Sequence, residues 1–387
     1  MYLLLLSLIY LAFISLGLPD SLLGSAWPTM YPALQVNMSA MGAVTTMVCL
    51  CTICSSLLSE RMVRRFGTRN VTIFSVFLTA AAMLGYANSN AYWQLLLWAL
   101  PYGLGAGAID AALNNYVALH YNARHMSWLH CFWGVGTIIS PSVMSYALRH
   151  ATWQRGYLIV GLLQVAIGVI LLLTARVWNI HQKPEAEEET TELLGVGGAM
   201  KIRGVPQILM GFLLYCAAEA TVMQWASSYL VEVRHIAGET AAALGGLFFF
   251  GMTVGRFLSG LIANRFGDRR MILMGTAIAL TGVVCLGLPV AWDGLTFGGF
   301  VLIGLGCAPI YPSIIHSTPT SFGARESQAI IGIQMAFAYT GSTLMPPLFG
   351  LMAEFISMKL LVPVLLVCFA GMVLMVERSF RLCGKKG

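Results

Sequence analysis

The chain has 387 residues, of which 58% are hydrophobic and 10% charged, against roughly 25% charged and 45–50% apolar in a soluble globular protein. That excludes a water-soluble enzyme. Its 22 Lys and Arg outnumber its 16 Asp and Glu, but they stand in short clusters between apolar runs, the pattern of membrane loops and not of a nucleic-acid-binding face.

Crossing about 30 Å of hydrocarbon takes about 20 apolar residues, so the length holds about a dozen helices and no large soluble domain. Twelve spans are predicted in chain order: 2–30, 39–59, 71–87, 92–120, 127–148 and 156–177, then 205–230, 240–263, 271–290, 295–318, 327–352 and 358–376. The first lacks a positive n-region and a small-residue cleavage site, so it reads as a retained span. Between the two sets lies an acidic stretch with Glu185, Glu187, Glu188, Glu189 and Glu192, too polar for lipid. The expected organisation is an N-terminal six-helix bundle over 1–177, a linker over 178–203, and a second six-helix bundle with a short tail over 204–387. Alternate loops divide the basic residues 17 to 4, which places both termini and the linker in the cytoplasm of a multi-pass cell-membrane protein. Trp93, Trp153, Trp178 and Trp292 sit at span ends, where interfacial anchoring is expected.

The halves read as copies. Arg65-Phe66-Gly67-Thr68-Arg69 recurs as Arg265-Phe266-Gly267-Asp268-Arg269, Gly103-Leu104-Gly105 as Gly304-Leu305-Gly306, and Gly136 with Pro141 as Gly341 with Pro346. Three matches in one order at nearly constant offset point to a duplicated unit around a central site.

An ionisable side chain at the centre of a membrane helix costs at least about 2.5–3.5 kcal/mol, so Asp20, Asp110, Glu219 and Arg256 each need a reason. Asp20 follows Gly17 and Pro19, which loosen the helix and free a carbonyl as interrupted helices at substrate sites do, and Trp27 lies on nearly its face; a carboxylate that merely caps or kinks the helix is the competing reading. Asp110 and Asn114 share a face after the small-residue stripe Gly103, Gly105 and Gly107. Protonated, Asp110 is a neutral donor; ionised, it is a charge in low dielectric. It can thus carry a proton whose binding follows the side the site faces, unless it is paired structurally with His120, Arg124 or Arg256. Glu219 stands 199 residues after Asp20, close to its repeat mate, with Tyr215 and Met223 on its face and Gln224 and Trp225 following. Carboxylates, amides and indoles suit a sugar, with hydroxyls to bond and an apolar face to stack, and suit other polar solutes as well. His130, Trp133, Gln334 and Tyr339 are further candidates for that lining. Arg256 can neutralise a carboxylate, bind an anion or snorkel.

Cys51 and Cys54 form a CxxC in an apolar helix with no second pair and no neighbouring His, which reads as packing, not metal or redox chemistry. His120, His125, His130 and His316 are scattered, and no GxSxG, HExxH or P-loop spacing occurs. No enzyme chemistry, metal or cofactor is expected.

The loop Gly260-Leu261-Ile262-Ala263-Asn264-Arg265-Phe266-Gly267-Asp268-Arg269-Arg270 resembles the signature loop of the major facilitator superfamily, with Asn264 where that family usually has an acid. The first-half copy departs further, with Glu60 at the Gly position and Arg64 at the acid position. The resemblance implies an all-α polytopic fold of 12 transmembrane helices in two pseudo-symmetric six-helix bundles, alternating access, and a gating latch in which Gly260, Arg265, Gly267 and Arg269 take part. Leu18-Pro19-Asp20, the run from Gly105 to Asn114, and Leu129 to Gly136 further resemble the fucose–galactose–glucose proton symporter group. That resemblance implies proton coupling at Asp20 and Asp110 and sugar binding at Asn114. His130 stands where the group tends to have Gln, and Trp133 where it has a sugar-binding Asn. The resulting expectation is a monomeric symporter of a small polar solute, a sugar, with protons. The site is placed between the bundles near the midplane, from Asn114, His130, Trp133, Glu219, Gln224, Gln334, Trp27 and Tyr339. A proton-driven exporter, a sensor or a lipid flippase on the same fold is the alternative.

Overall fold

The computed structural model describes residues 2–181, 194–236, 244, 246–289 and 292–383. The acidic run of the linker, the start of the predicted eighth span and the tail residues Lys385 and Lys386 lie outside them. All regular structure among the described residues is helical. In chain order the helices are α1 Tyr2–Asp20, α2 Leu22–Ala33, α3 Met41–Ala87, α4 Tyr92–His120, α5 Ala123–His150, α6 Trp153–Leu173, α7 Gly195–Ala199, α8 Val205–Arg234, α9 Leu247–Phe266, α10 Asp268–Gly287, α11 Asp293–Cys307, α12 Ile310–His316, α13 Thr318–Phe322, α14 Ser327–Phe355 and α15 Leu361–Cys383.

Among the described residues, ten stretches are long and apolar enough to cross a membrane. Gly67, at φ 76° and ψ 152°, breaks the 47-residue α3 into two arms. Counting those arms separately and adding the 29 residues of α14 accounts for twelve crossings. Gly267 adopts nearly the same conformation, φ 75° and ψ 162°, between α9 and α10, because the turn needs a left-handed residue that lacks Cβ. Two predicted spans are interrupted. The first breaks at Ser21, after Pro19 removes a backbone donor, and the tenth at Ala308-Pro309.

The chain forms two compact units, one of residues 1–116 and 129–195, the other of 117–128 and 196–387. Residues 117–128, the end of α4 and the start of α5, thus belong to the second unit.

Lipid gives helices little hydrophobic reason to associate, so close backbone approach through small residues decides their packing. In the first unit Gly103 lies against Val48 and Gly107 against Thr52, on the first arm of α3, whereas Gly105 lies against Ser75 and Thr79 on the second arm. In the second unit Gly304 lies against Phe248 and Met252 of α9, and Gly306 against Gly275 and Ala279 of α10. Gly136 of α5 meets Ile14 and Gly17 of α1, and Gly341 of α14 meets Leu213 and Ala217 of α8. Each unit repeats the other's contacts at offsets near 200, so the duplication read from sequence is also one of helix packing.

Two of the four tryptophans expected as interfacial anchors are covered by protein. Trp93 and Trp292 are exposed, but Trp153 and Trp178 are buried at 4% and 3%. A 3-10 turn over Ala175–His181 leaves the Trp178 ring 5.6 Å from that of Tyr116, and Trp153 packs edge-on against Tyr157.

Candidate functional site

In the first unit the polar residues gather in two groups. The close contact of Gly17 with the Trp133 main chain brings α1 against α5. At that contact Asp20 Oδ1 accepts the Tyr102 hydroxyl at 2.6 Å, and Oδ2 accepts the Trp133 indole N–H at 2.8 Å. Asp20 is exposed and Tyr102 is buried. One residue further on, the Ser21 hydroxyl lies 2.7 Å from both the Thr137 carbonyl and the Ser140 hydroxyl, and Gln164 Nε2 donates to the Ser15 carbonyl at 2.8 Å. The end of α1 and the turn that follows it are thus tied to α5 and α6 by polar contacts. The Trp27 indole, beyond the turn at Ser21, is buried at 2%, whereas Asp20 is exposed.

The second group is a chain through α4 and α5. Asn114 Nδ2 donates to Asp110 Oδ1 at 2.7 Å, and Asn114 Oδ1 lies 3.1 Å from His130 Nε2. Because the amide nitrogen serves Asp110, its oxygen faces the imidazole, and His130 Nε2 is the donor. The three residues are at most 5% exposed, and Phe13 packs edge-on against the His130 ring. Asp110 therefore bonds along its own helix to Asn114, as the four-residue spacing allows.

The second unit gathers fewer of the predicted residues. Glu219, at the middle of α8, pairs with Arg256 of α9 at 3.7 Å, both largely buried; of the roles open to Arg256, neutralising a carboxylate is the one seen. Tyr215 donates to the Cys307 carbonyl at 2.9 Å. Gln224 is exposed, and its neighbour Trp225 donates to the Pro346 carbonyl. Gln334 is fully buried and accepts the Thr318 hydroxyl at 3.0 Å. Tyr339 is half-buried.

At the signature loop, Gly260 leaves room for the Trp128 indole, and Asn264 Oδ1 accepts the Arg124 backbone N–H at 3.1 Å. Arg124 is in the first turn of α5, where unpaired N–H groups attract an oxygen. Arg269 forks onto Glu377 of α15, within the same unit, at 2.8 Å through Nε. It therefore braces its own unit. Arg265 is exposed. Glu60, at the degenerate first-half position, accepts the backbone N–H groups of Leu194 and Gly195.

Tyr102 was missed in the sequence because its partner is 82 residues away; its setting beside the Gly103 to Gly107 stripe was the only signal. The His316–Asp268 contact, 2.8 Å through Nδ1, was missed for the same reason, although Asp268 stands within the repeated loop.

Duplicated units of membrane-length helices give this chain the architecture of a multi-pass transporter. The chain belongs to the major facilitator superfamily, whose sequence profile matches residues 9–296 and 208–381. Among curated relatives, the Saccharomyces cerevisiae "Bypass of stop codon protein 6" is 22% identical over 90% of this chain and 76% of its own. A Brucella abortus glucose/galactose transporter is 23% identical over 81% and 79%. Of solved structures, the transporter FucP in its outward conformation superposes with a TM-score of 0.78 at 15% identity, covering 98% of this chain and 99% of that one; FucP is described as the E. coli fucose:proton symporter.

Proposed function

We propose that the chain is a proton-coupled symporter of a small polar solute, a sugar by preference, with Asp20 and Asp110 as the proton-carrying groups. The observation that carries this reading is the setting of Asp20: a carboxylate on an interrupted membrane helix, held by one phenol and one indole donor from two other helices. A carboxylate so held changes its bonding to α4 and α5 when it takes a proton, since a protonated oxygen no longer accepts as before. Solute hydroxyls compete for the same donors, and the indole offers an apolar face for a sugar ring. Asn114 and His130 form the second proposed polar group, with Asp110 as its acid, and Tyr102 joins Trp133 among the solute-facing donors. Glu219 acts in this reading through its pair with Arg256. The names of FucP and of the glucose/galactose transporter favour the sugar assignment. The excess of basic residues in alternate loops supports a cell-membrane protein with cytoplasmic termini that acts as a monomer, since each proposed group is complete within one chain.

Transport into proteoliposomes tests the reading, using a panel of hexoses with and without an imposed pH gradient. Gradient-driven accumulation of one hexose supports it. Accumulation of none refutes the sugar assignment, and accumulation that ignores the gradient refutes the coupling.

A further inference from the structure

Where α10 begins and α12 ends, a histidine is held in a way that fixes a proton count. His316 Nδ1 is 2.8 Å from Asp268 Oδ2, and its Nε2 is 3.1 Å from the main-chain carbonyl of Tyr121. Tyr121 lies in the 117–128 segment that packs into the second unit. A carbonyl and a carboxylate are both acceptors, whereas a neutral imidazole has a single N–H. Satisfying both contacts takes either an imidazolium against a carboxylate or a neutral imidazole against a carboxylic acid. In both forms the pair holds one proton more than a neutral His316 beside an ionised Asp268. The imidazolium form has two supports. Asp268 is the first residue of α10, where the helix N-terminus favours negative charge. Its Oδ1 is also buried with no hydrogen-bond partner among the described residues, which leaves His316 to offset the charge.

We propose that His316 and Asp268 form a proton-binding site separate from Asp20 and Asp110, and that its proton fastens residues 117–128 to the second unit. When the proton leaves, the remaining N–H stays on Nδ1 in the charge-assisted bond to Asp268. Nε2 then turns a lone pair to the Tyr121 oxygen, and an attractive contact becomes a repulsive one. The hold that remains includes the Asn264 bond to the Arg124 N–H, the seat of Trp128 on Gly260 and the packing of Ala123 against Ala263 and Met271.

Other charges on the surrounding elements are engaged elsewhere or lie apart. On the segment, Arg124 sits over the Trp128 ring, His125 packs edge-on against it, and His120, beside Tyr121, is half-buried; on α15, Arg378 and Arg381 are exposed. On α10, Arg269 is paired with Glu377 and Arg270 is exposed. On α8, Glu219 pairs with Arg256 and Arg234 donates to Thr296; the acid of α11, Asp293, begins that helix at its far end. The pair is only about one-sixth exposed, and Asp268 lines a surface pocket with Arg269 and Arg270, so in this proposal the pair responds to the pH on that face.

The test is hydrogen exchange of the full chain in lipid nanodiscs from about pH 5 to pH 9, the range around an ordinary histidine, with rates corrected for base catalysis. In the unsubstituted chain the amides of 117–128 should lose protection by roughly tenfold or more in one step as the pH rises, the loss of a hydrogen bond to a charged group. His316→Gln should abolish the step while α8 keeps its protection. Should that variant fail to fold, Asp268→Asn should displace the step by a pH unit or more. Protection that is flat with pH in the unsubstituted chain, or a step that survives either substitution unmoved, overturns the proposal. Neither result touches Asp20 or Asp110, whose role is read by gradient-driven uptake.

Discussion

Gly17 sits where α1 and α5 come closest, and replacing it with Ala probes whether the Asp20 site depends on that approach. The added Cβ would collide with the Trp133 carbonyl oxygen and lie 3.1 Å from its carbon. Main-chain atoms cannot rotate aside, so the helices must part by about 1 Å to restore ordinary contact. Carried to the Trp133–Asp20 bond, now 2.8 Å, that displacement exceeds hydrogen-bonding range. Overpacking costs about 1–3 kcal/mol, and Ala returns about 1 kcal/mol of helix propensity over Gly. The net loss of stability is therefore about 0–2 kcal/mol, seen as a small fall in the thermal midpoint in detergent. The bond to the carboxylate contributes about 1.5–3 kcal/mol, so proton-driven uptake should fall by about tenfold or more. Gly134→Ala is the control, because a Cβ there meets nothing within 4 Å. Full uptake by Gly17→Ala, or equal damage from Gly134→Ala, would refute the dependence.

Asp110→Asn should retain solute exchange across proteoliposomes but lose uphill accumulation; a variant that still concentrates solute would make Asp110 structural. Glu219→Gln removes the charge opposite the buried Arg256 and should cost about 3–5 kcal/mol, read as lost folded protein in detergent. Adding Arg256→Met should restore recovery, and failure to do so would mean the pair is not the source of the loss. Asn264→Asp places a full charge at the start of α5 and should slow hydrogen exchange of 117–128 roughly two- to fivefold in low salt; unchanged exchange would show that the contact does not hold the segment.

What could be read from the sequence was what depends on local spacing or on repetition. Asp110 and Asn114 bond as four-residue neighbours do, and the paired Gly103-Leu104-Gly105 and Gly304-Leu305-Gly306 runs make equivalent contacts. The long-range partners were hidden. Tyr102 for Asp20 and Tyr121 for His316 are 82 and 195 residues apart, and no periodicity encodes such distances. Burial of Trp153 and Trp178 was misread because a tryptophan at a span end looks the same whether the chain continues into headgroups or folds back. Gln334 illustrates a different limit: a polar side chain on a membrane helix can face a solute or, as here, bond to Thr318 inside the core.

The glycines of α4 fix more than a packing distance. Gly103 and Gly107 fit the first arm of α3, Gly105 fits the second, and the two contacts lie on opposing sides of α4 because two residues turn a helix by about 200°. The helix that carries Asp110 is thus gripped from both flanks, three to seven residues before the acid. Neither rolling about its axis nor sliding is open to it without driving a backbone into a carbonyl. Asp110 stands on a fixed post, so on the proposed reading the response to a proton there falls to side chains around it, Asn114 and the imidazole beyond it among them. That part of α4 should be the slowest-exchanging stretch of the unit, a stationary reference against which the working parts move.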